Sequence, residues 1–326
     1  SRKFPLKEPF VELAKGSLNT FLNAITWPDK TMYPIASRND KDFHNLMDVY
    51  LDAVFYPDCL KNPQILMQEG WHYELDNVDA PLTYNGVVYN EMKGALSSPE
   101  AIMEDKAMEE LFPDTTYGVE SGGDPEVIPT LSFREFSEFH RRFYHPSNSY
   151  IYLYGDMDID ETLKFIDQEY LSHFDARNVY SAVKTQSPLP KRKIVEAPFG
   201  ISENESLEKK TIHALYIALN DHITTEESLA FKILSYVLVD MDGAPLKKAV
   251  LDAGIGNDVS SAYGDSYKQP VWTIEVTGSE IDKREKFIST VDLVLRNLAL
   301  DGIDRNMLEA ALNRTEFILR ENDFQG

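Results

Sequence analysis

Phe43, Leu46, Met47, Tyr50, Leu51 and Val54 recur at helical spacing, which predicts an amphipathic helix with Asn39 at its start and Pro57 as its stop. Residues 31–36 just before it read as a strand. Residues 86–110 read as helix, broken around Ser97-Ser98-Pro99. Ser132 and Glu135 have capping-box spacing ahead of Phe136, Phe139, His140 and Phe143. Tyr150-Ile151-Tyr152-Leu153-Tyr154 reads as a buried strand closed by Gly155, and Leu163, Ile166 and Tyr170 mark the next helix.

Residues 181–205 lack a long period and hold Pro188, Pro190 and Pro198. They read as an interdomain connection containing one short strand. Beyond them, residues 210–219 read as a strand. Thr224 and Glu227 cap a helix through Leu229, Ile233, Tyr236 and Val237, and a further helix opens at Pro245 and closes at Gly254. Trp272, Ile274 and Val276 alternate with Thr273, Glu275 and Thr277, the signature of a half-buried strand. Two helices close the chain, around Phe287 to Leu298 and Leu308 to Ile318. A strand, an acidic turn at Asp40-Lys41 and a helix from Phe43 recur later as the Trp272 strand, Asp282-Lys283 and the Phe287 helix. Two diverged copies of one unit would produce this, and so would chance, because strand-turn-helix is common.

The 326 residues make two domains likelier than one. The expected fold class is α+β, each domain an antiparallel sheet packed with helices. The boundaries fall at 1–184, a 185–204 linker and 205–326. Apolar types reach 43 %, enough for real cores. With 32 Lys and Arg against 54 Asp and Glu, the net charge is −22. That argues against nucleic acid and against anionic membrane surfaces. It is compatible with cationic peptides, although acidity is also a solubility device. No apolar run is long enough to span a bilayer. The single cysteine, Cys59, rules out an intrachain disulfide and a Cys-rich zinc site, and favours a reducing compartment.

The seven histidines form no His-x-x-x-His or His-x-His pair, and nucleophile elbows and phosphate loops are missing. Ser121-Gly122-Gly123-Asp124-Pro125 reads as a surface turn. Two segments carry more information. Glu91 lies on a predicted helix among apolar residues, so it either faces solvent or is aimed at a metal. Leu22 to Pro28 alternates small or polar with apolar side chains, which suits a sheet edge able to take an extended peptide, or an ordinary edge strand.

These residues carry a resemblance. The ordered stretches are Ser1-Arg2-Lys3-Phe4-Pro5, Ser17-Leu18-Asn19-Thr20-Phe21 with Asn23-Ala24, and residues 48–57. They continue through Gln68-Glu69-Gly70-Trp71, residues 86–94, Ser121 to Pro125, Tyr144-His145-Pro146-Ser147-Asn148 and Ala253-Gly254-Ile255-Gly256. In these the chain resembles the presequence-protease branch of the insulinase-like (pitrilysin-type) zinc metallopeptidases, over essentially its whole length. It matches only an early part of a full member, which has four related domains in two halves.

The resemblance implies a zinc metalloendopeptidase acting on short unfolded peptides. The family's His-x-x-Glu-His motif, with two zinc ligands and the general base, stands just ahead of the segment matching Ser1 and occurs nowhere in this sequence. Its third zinc ligand corresponds to Glu91. The substrate would add as a strand along Asn23, Ala24, Ile25 and Thr26. The chain alone would be catalytically inert and would hold no zinc. Its implied partners are an extended peptide and the C-terminal half of the same polypeptide, and an exposed sheet edge predicts self-association. A non-catalytic partner or structural subunit is the competing reading. The expected location is bacterial cytoplasm, with an organellar matrix as the alternative.

Overall fold

The computed structural model describes residues 1–4, 9–16 and 18–321. Pro5 and Ser17, quoted above, lie outside the described residues, as do residues 322–326. The backbone divides into two compact units: Ser1–Asp105 with Thr116–Lys184, and Lys106–Thr115 with Thr185–Gln325. The fold class is α+β.

In the first unit, α1 (Pro9–Gly16) precedes β1 (Asn19–Leu22), β2 (Ile25–Thr26), β3 (Thr31–Met32) and β4 (Ile35–Ser37). β1 pairs with β4 and β2 with β3, both antiparallel. The strand expected over 31–36 is therefore two short pieces, divided at Tyr33-Pro34, where proline has no N–H for a ladder. α2 (Asp40–Phe55) is capped by Asn39, whose side chain accepts the Asp42 N–H. Its apolar stripe buries Leu46, Met47, Val49 and Phe55. A single helical turn, α3 (Pro63–Ile65), runs into a π-turn at Leu66–Gly70. Then come β5 (His72–Glu74) and β6 (Thr83–Asn85), an antiparallel hairpin, and α4 (Val87–Ala95). α5 (Pro99–Leu111) follows a break at the predicted place. α6 (Phe133–Phe143) opens with the full Ser132/Glu135 capping box, and α7 (Ile159–Glu169) buries Ile166. The Tyr170 hydroxyl donates to the Asp48 carbonyl at 2.7 Å and ties α7 to α2.

One expectation fails in this unit. Residues 150–154 form no strand, and Tyr150, Tyr152 and Tyr154 are exposed. Strand-forming composition is insufficient without a neighbour, and no described residue supplies a ladder here. The short strand expected within 181–205 is absent for the same reason.

In the second unit, β7 (Thr211–Ala218), β8 (Asp258–Gly264) and β9 (Val271–Ser279) form one antiparallel sheet with β9 central. α8 (Thr225–Ser235), with the Thr224/Glu227 box, ends in a second π-turn at Tyr236–Asp240. α9 (Pro245–Asp252), α10 (Arg284–Asp301) and α11 (Arg305–Glu321) complete the unit. Trp272, Ile274 and Val276 of β9 pack against Leu246 and Val250 of α9 and Phe287 and Val291 of α10. That face is the largest core of the unit. No helix among the described residues is long and apolar enough to cross a membrane.

Candidate functional site

Glu91 sits one turn into α4. The position of that helix is set by its junction with the β5–β6 hairpin. The π-turn closes with Trp71 N–H donating to the Leu66 carbonyl at 3.1 Å. The Trp71 indole N–H reaches the Leu131 carbonyl at 3.3 Å, and the His72 Nδ1–H reaches the Met67 carbonyl at 2.6 Å. Where the returning strand of the hairpin ends, Gly86 has φ +154° and precedes α4. A Cβ there would overlap the Gly70 carbonyl oxygen and stand 2.7 Å from its carbon. The Asn85 side chain brackets the junction: its Oδ1 accepts from Gly86 N–H (2.7 Å) and Asn90 Nδ2 (2.6 Å), and its Nδ2 donates to Glu74 (2.5 Å). Further along α4, Met92 lies against Gly122. Glu91 itself is exposed and makes no hydrogen bond or ion pair with a described residue.

The segment Asn23–Thr26 lies on an interrupted hairpin. Asn23 N–H donates to the Pro34 carbonyl (3.1 Å) and Trp27 N–H to Lys30 (2.8 Å). In an antiparallel ladder the bonding positions alternate, so the N–H and C=O of Ala24 and Thr26 point away from β3. The Ala24 N–H is taken by Asn23 Oδ1 at 2.8 Å. The open edge thus offers the Ala24 and Thr26 carbonyls and the Thr26 N–H. No hydrogen bond or ion pair links this edge to Glu91 among the described residues. The hairpin tip is bound instead to the turn at Thr116–Gly118: Thr116 Oγ1 donates to Pro28 and the Tyr117 hydroxyl to Asp29, each at 2.9 Å. The same chain continues into the Gly122 loop against Met92. The sequence reading missed this, having taken the glycine pair as a surface turn; adjacent glycines, which permit a close approach, were the available signal.

Beside α4 lies a largely apolar cavity of about 780 Å³, lined among others by Val54, Leu66, Trp71, Val88, Phe136 and Phe139. Its polar wall is a linked set. His140 Nε2–H donates to the Val54 carbonyl at 3.1 Å, and its ring stacks on Tyr144 with centroids 4.2 Å apart. The Tyr144 hydroxyl shares a 2.9 Å hydrogen bond with Tyr33. Burial lowers the His140 pKa, opposed by the Val54 hydrogen bond and aided by Arg141. Burial first, then the Tyr144 bond, raises that of Tyr33, and burial raises that of Cys59. Nothing in the sequence marked these residues as neighbours.

The family model described as "Peptidase M16 inactive domain" matches residues 130–315. The chain belongs to the peptidase M16 family. It is 52 % identical over 324 residues to "Protein HypA" of Clostridium perfringens, covering 99 % of this chain and 33 % of that protein. It is 43 % identical over 331 residues to "Presequence protease 1, chloroplastic/mitochondrial" of Arabidopsis thaliana, covering 99 % of this chain and 30 % of that protein. A crystal structure of pitrilysin shares the fold at TM-score 0.64 and 16 % identity, over 100 % of this chain and 33 % of that one. The resemblance read from the sequence is thus correct at the level of the M16 family and its presequence-protease relatives. The chain spans about a third of the length of the curated relatives it matches. The M16 match begins at residue 130, beyond both Asn23–Thr26 and Glu91.

Among the described residues no group of three or more His, Cys, Asp or Glu stands together to hold a metal ion. Glu91 is an uncommitted carboxylate on a pinned helix, a donor type that zinc accepts. A lone carboxylate of this kind can supply one ligand to such an ion and no more.

Proposed function

We propose that this chain is part of a zinc-dependent metalloendopeptidase that degrades short unfolded peptides, with Glu91 as one metal ligand. The observation that carries the reading is the combination at α4: a fixed helix start and a carboxylate with no partner of its own. The remaining ligands and the general base would come from a His-x-x-Glu-His motif preceding Ser1. When bound, zinc supplies a Lewis acid and an activated water. Glu91 would hold one coordination position and leave the substrate face open. The Ala24 and Thr26 carbonyls and the Thr26 N–H would receive the peptide as an added strand. Strand addition requires an extended backbone, so unfolded peptides are selected. The C-terminal half of the same polypeptide would complete the substrate chamber.

The charge of −22 supports a preference for basic peptides. Equal rates for neutral and basic peptides of one length at low salt would defeat that part. A reducing compartment, either bacterial cytoplasm or an organellar matrix, suits the lone Cys59. The match to an M16 domain described as inactive favours a second reading, a non-catalytic partner subunit.

Zinc content decides between the two. It is measured on this chain and on the polypeptide extended upstream through the histidine motif. The peptidase reading expects one zinc in the extended protein alone, lost in Glu91→Gln. An extended protein without zinc, or one indifferent to Glu91→Gln, leaves the partner reading.

A further inference from the structure

We infer that Gly86, with the Asn85 side chain, is a positioning element for the Glu91 carboxylate; the inference rests on the reading of Glu91 as a zinc ligand. Three features converge at one junction. First, the π-turn at Leu66–Gly70 presents a carbonyl whose place is fixed by the Trp71 and His72 hydrogen bonds described above. π-turns of this kind often stand near functional sites. Second, α4 begins with its backbone in contact with that carbonyl, an approach that only a residue without Cβ permits. An added methyl at Gly86 would also stand 2.8 Å from the Trp71 Cα, so the three nearest obstacles are all main chain and cannot swing aside. The φ of +154° strains an L side chain besides. Third, Asn85 ties the hairpin to the first turn of the helix by bonding Glu74, the Gly86 N–H and Asn90, the neighbour of Glu91.

Glu91 makes no side-chain bond that could set its own place. Its position along the helix axis is therefore inherited from where α4 starts. Pushing Gly86 off Gly70, or releasing Asn90 from Asn85, moves the carboxylate relative to any ligands held elsewhere. Misplacements of about half an ångström matter at metal sites, and loss of supporting groups typically lowers metal affinity about 10- to 100-fold.

The test uses the full-length polypeptide carrying this sequence. Zinc affinity is read by competition with a chromophoric chelator, and ligand geometry by the visible spectrum of the cobalt-substituted protein. Gly86→Ala and Asn85→Ala are each expected to weaken zinc binding at least tenfold and to alter the cobalt spectrum. Gly94→Ala, on the same helix with open space around its Cβ, is the control and leaves both unchanged. A folded Gly86→Ala protein with wild-type affinity and spectrum overturns the inference; if that variant does not fold, Asn85→Ala decides by the same criteria. Glu91→Gln separates the two levels. If it loses zinc while the junction variants keep it, the positioning role fails and the ligand stands. If it keeps zinc, the ligand assignment fails.

Discussion

Asp52 is fully buried on α2, and its Oδ2 accepts the Lys3 backbone N–H at 2.7 Å. The Oδ1 stands 3.4 Å from Arg2 Nε. Beside them the amino group of Ser1 pairs with Asp58 (3.0 Å), and Lys3 Nζ with Asp48 (3.0 Å) and Glu169 (2.8 Å). These contacts seat residues 1–4, the segment that would follow the proposed upstream zinc motif. In Asp52→Ala the Lys3 N–H loses its acceptor, a loss of about 1–3 kcal/mol. The Arg2 pair adds at most about 1 kcal/mol, because that side chain is 36 % exposed and solvent screens it. Relief of the buried carboxylate's desolvation acts in the opposite direction. The net expectation is a loss of about 2 kcal/mol. Asp52→Asn keeps an acceptor for Lys3 and should cost less than half as much. Urea unfolding at pH 7, with hydrogen exchange of the α2 amides to localise the effect, measures both. If Asn costs as much as Ala, charge rather than the hydrogen bond is the anchor, and the reasoning fails. It also fails if Ala lies within 0.5 kcal/mol of wild type.

Three further outcomes are expected. His140 has its pKa lowered by burial, so its neutral form is the one the fold accommodates. Stability is then unpenalised above the unfolded value of about 6.5 and falls as pH drops below it, levelling under the folded pKa. His145 is shifted the same way, by burial and then by Arg177. The difference between wild type and His140→Phe in chemical unfolding from pH 7.5 to 5 isolates His140, and parallel curves would refute its role. Asn39→Ala removes the cap of α2 and should lower stability by about 1 kcal/mol in urea unfolding, with unchanged m-value. On the reading of residues 19–26 as an open sheet edge, the chain at tens of micromolar should self-associate through it. Thr26→Pro, which removes the free edge N–H, should shift sedimentation toward monomer, and a monomeric wild type would count against an open edge there.

Elements were legible in the sequence wherever their cause is local. The α2 stripe with its Asn39 cap, both capping boxes and the Pro99 break each follow from residues within a few positions. β9 was equally plain, because one face is buried by α9 and α10 and the other is not, and that asymmetry is written as strict alternation. Glu91 and the 23–26 edge could be named from the resemblance, but neither periodicity nor spacing distinguishes a metal-facing carboxylate from a solvated one. The Gly70–Gly86 approach, the Gly122 seat and the cavity wall were illegible because each joins positions far apart in the chain. Only the folded backbone brings Gly70 and Gly86, which flank the open end of the β5–β6 hairpin, into contact.

Residues 150–154 and β9 make an instructive pair. Both are rich in strand-forming side chains, yet β9 has β7 and β8 on either side of it and the Tyr150 segment has neither. Aromatic and β-branched propensity describes how well a segment fits a pleated, half-buried surface; the surface itself must be supplied by neighbours. The same condition governs the proposed chemistry. The Ala24–Thr26 edge acquires meaning only when a peptide strand arrives, and Glu91 only when other ligands stand opposite it. On that proposal, what this chain would contribute is preorganisation: a hairpin edge left open and a helix whose start is held by main-chain contact, each in place before its partner binds.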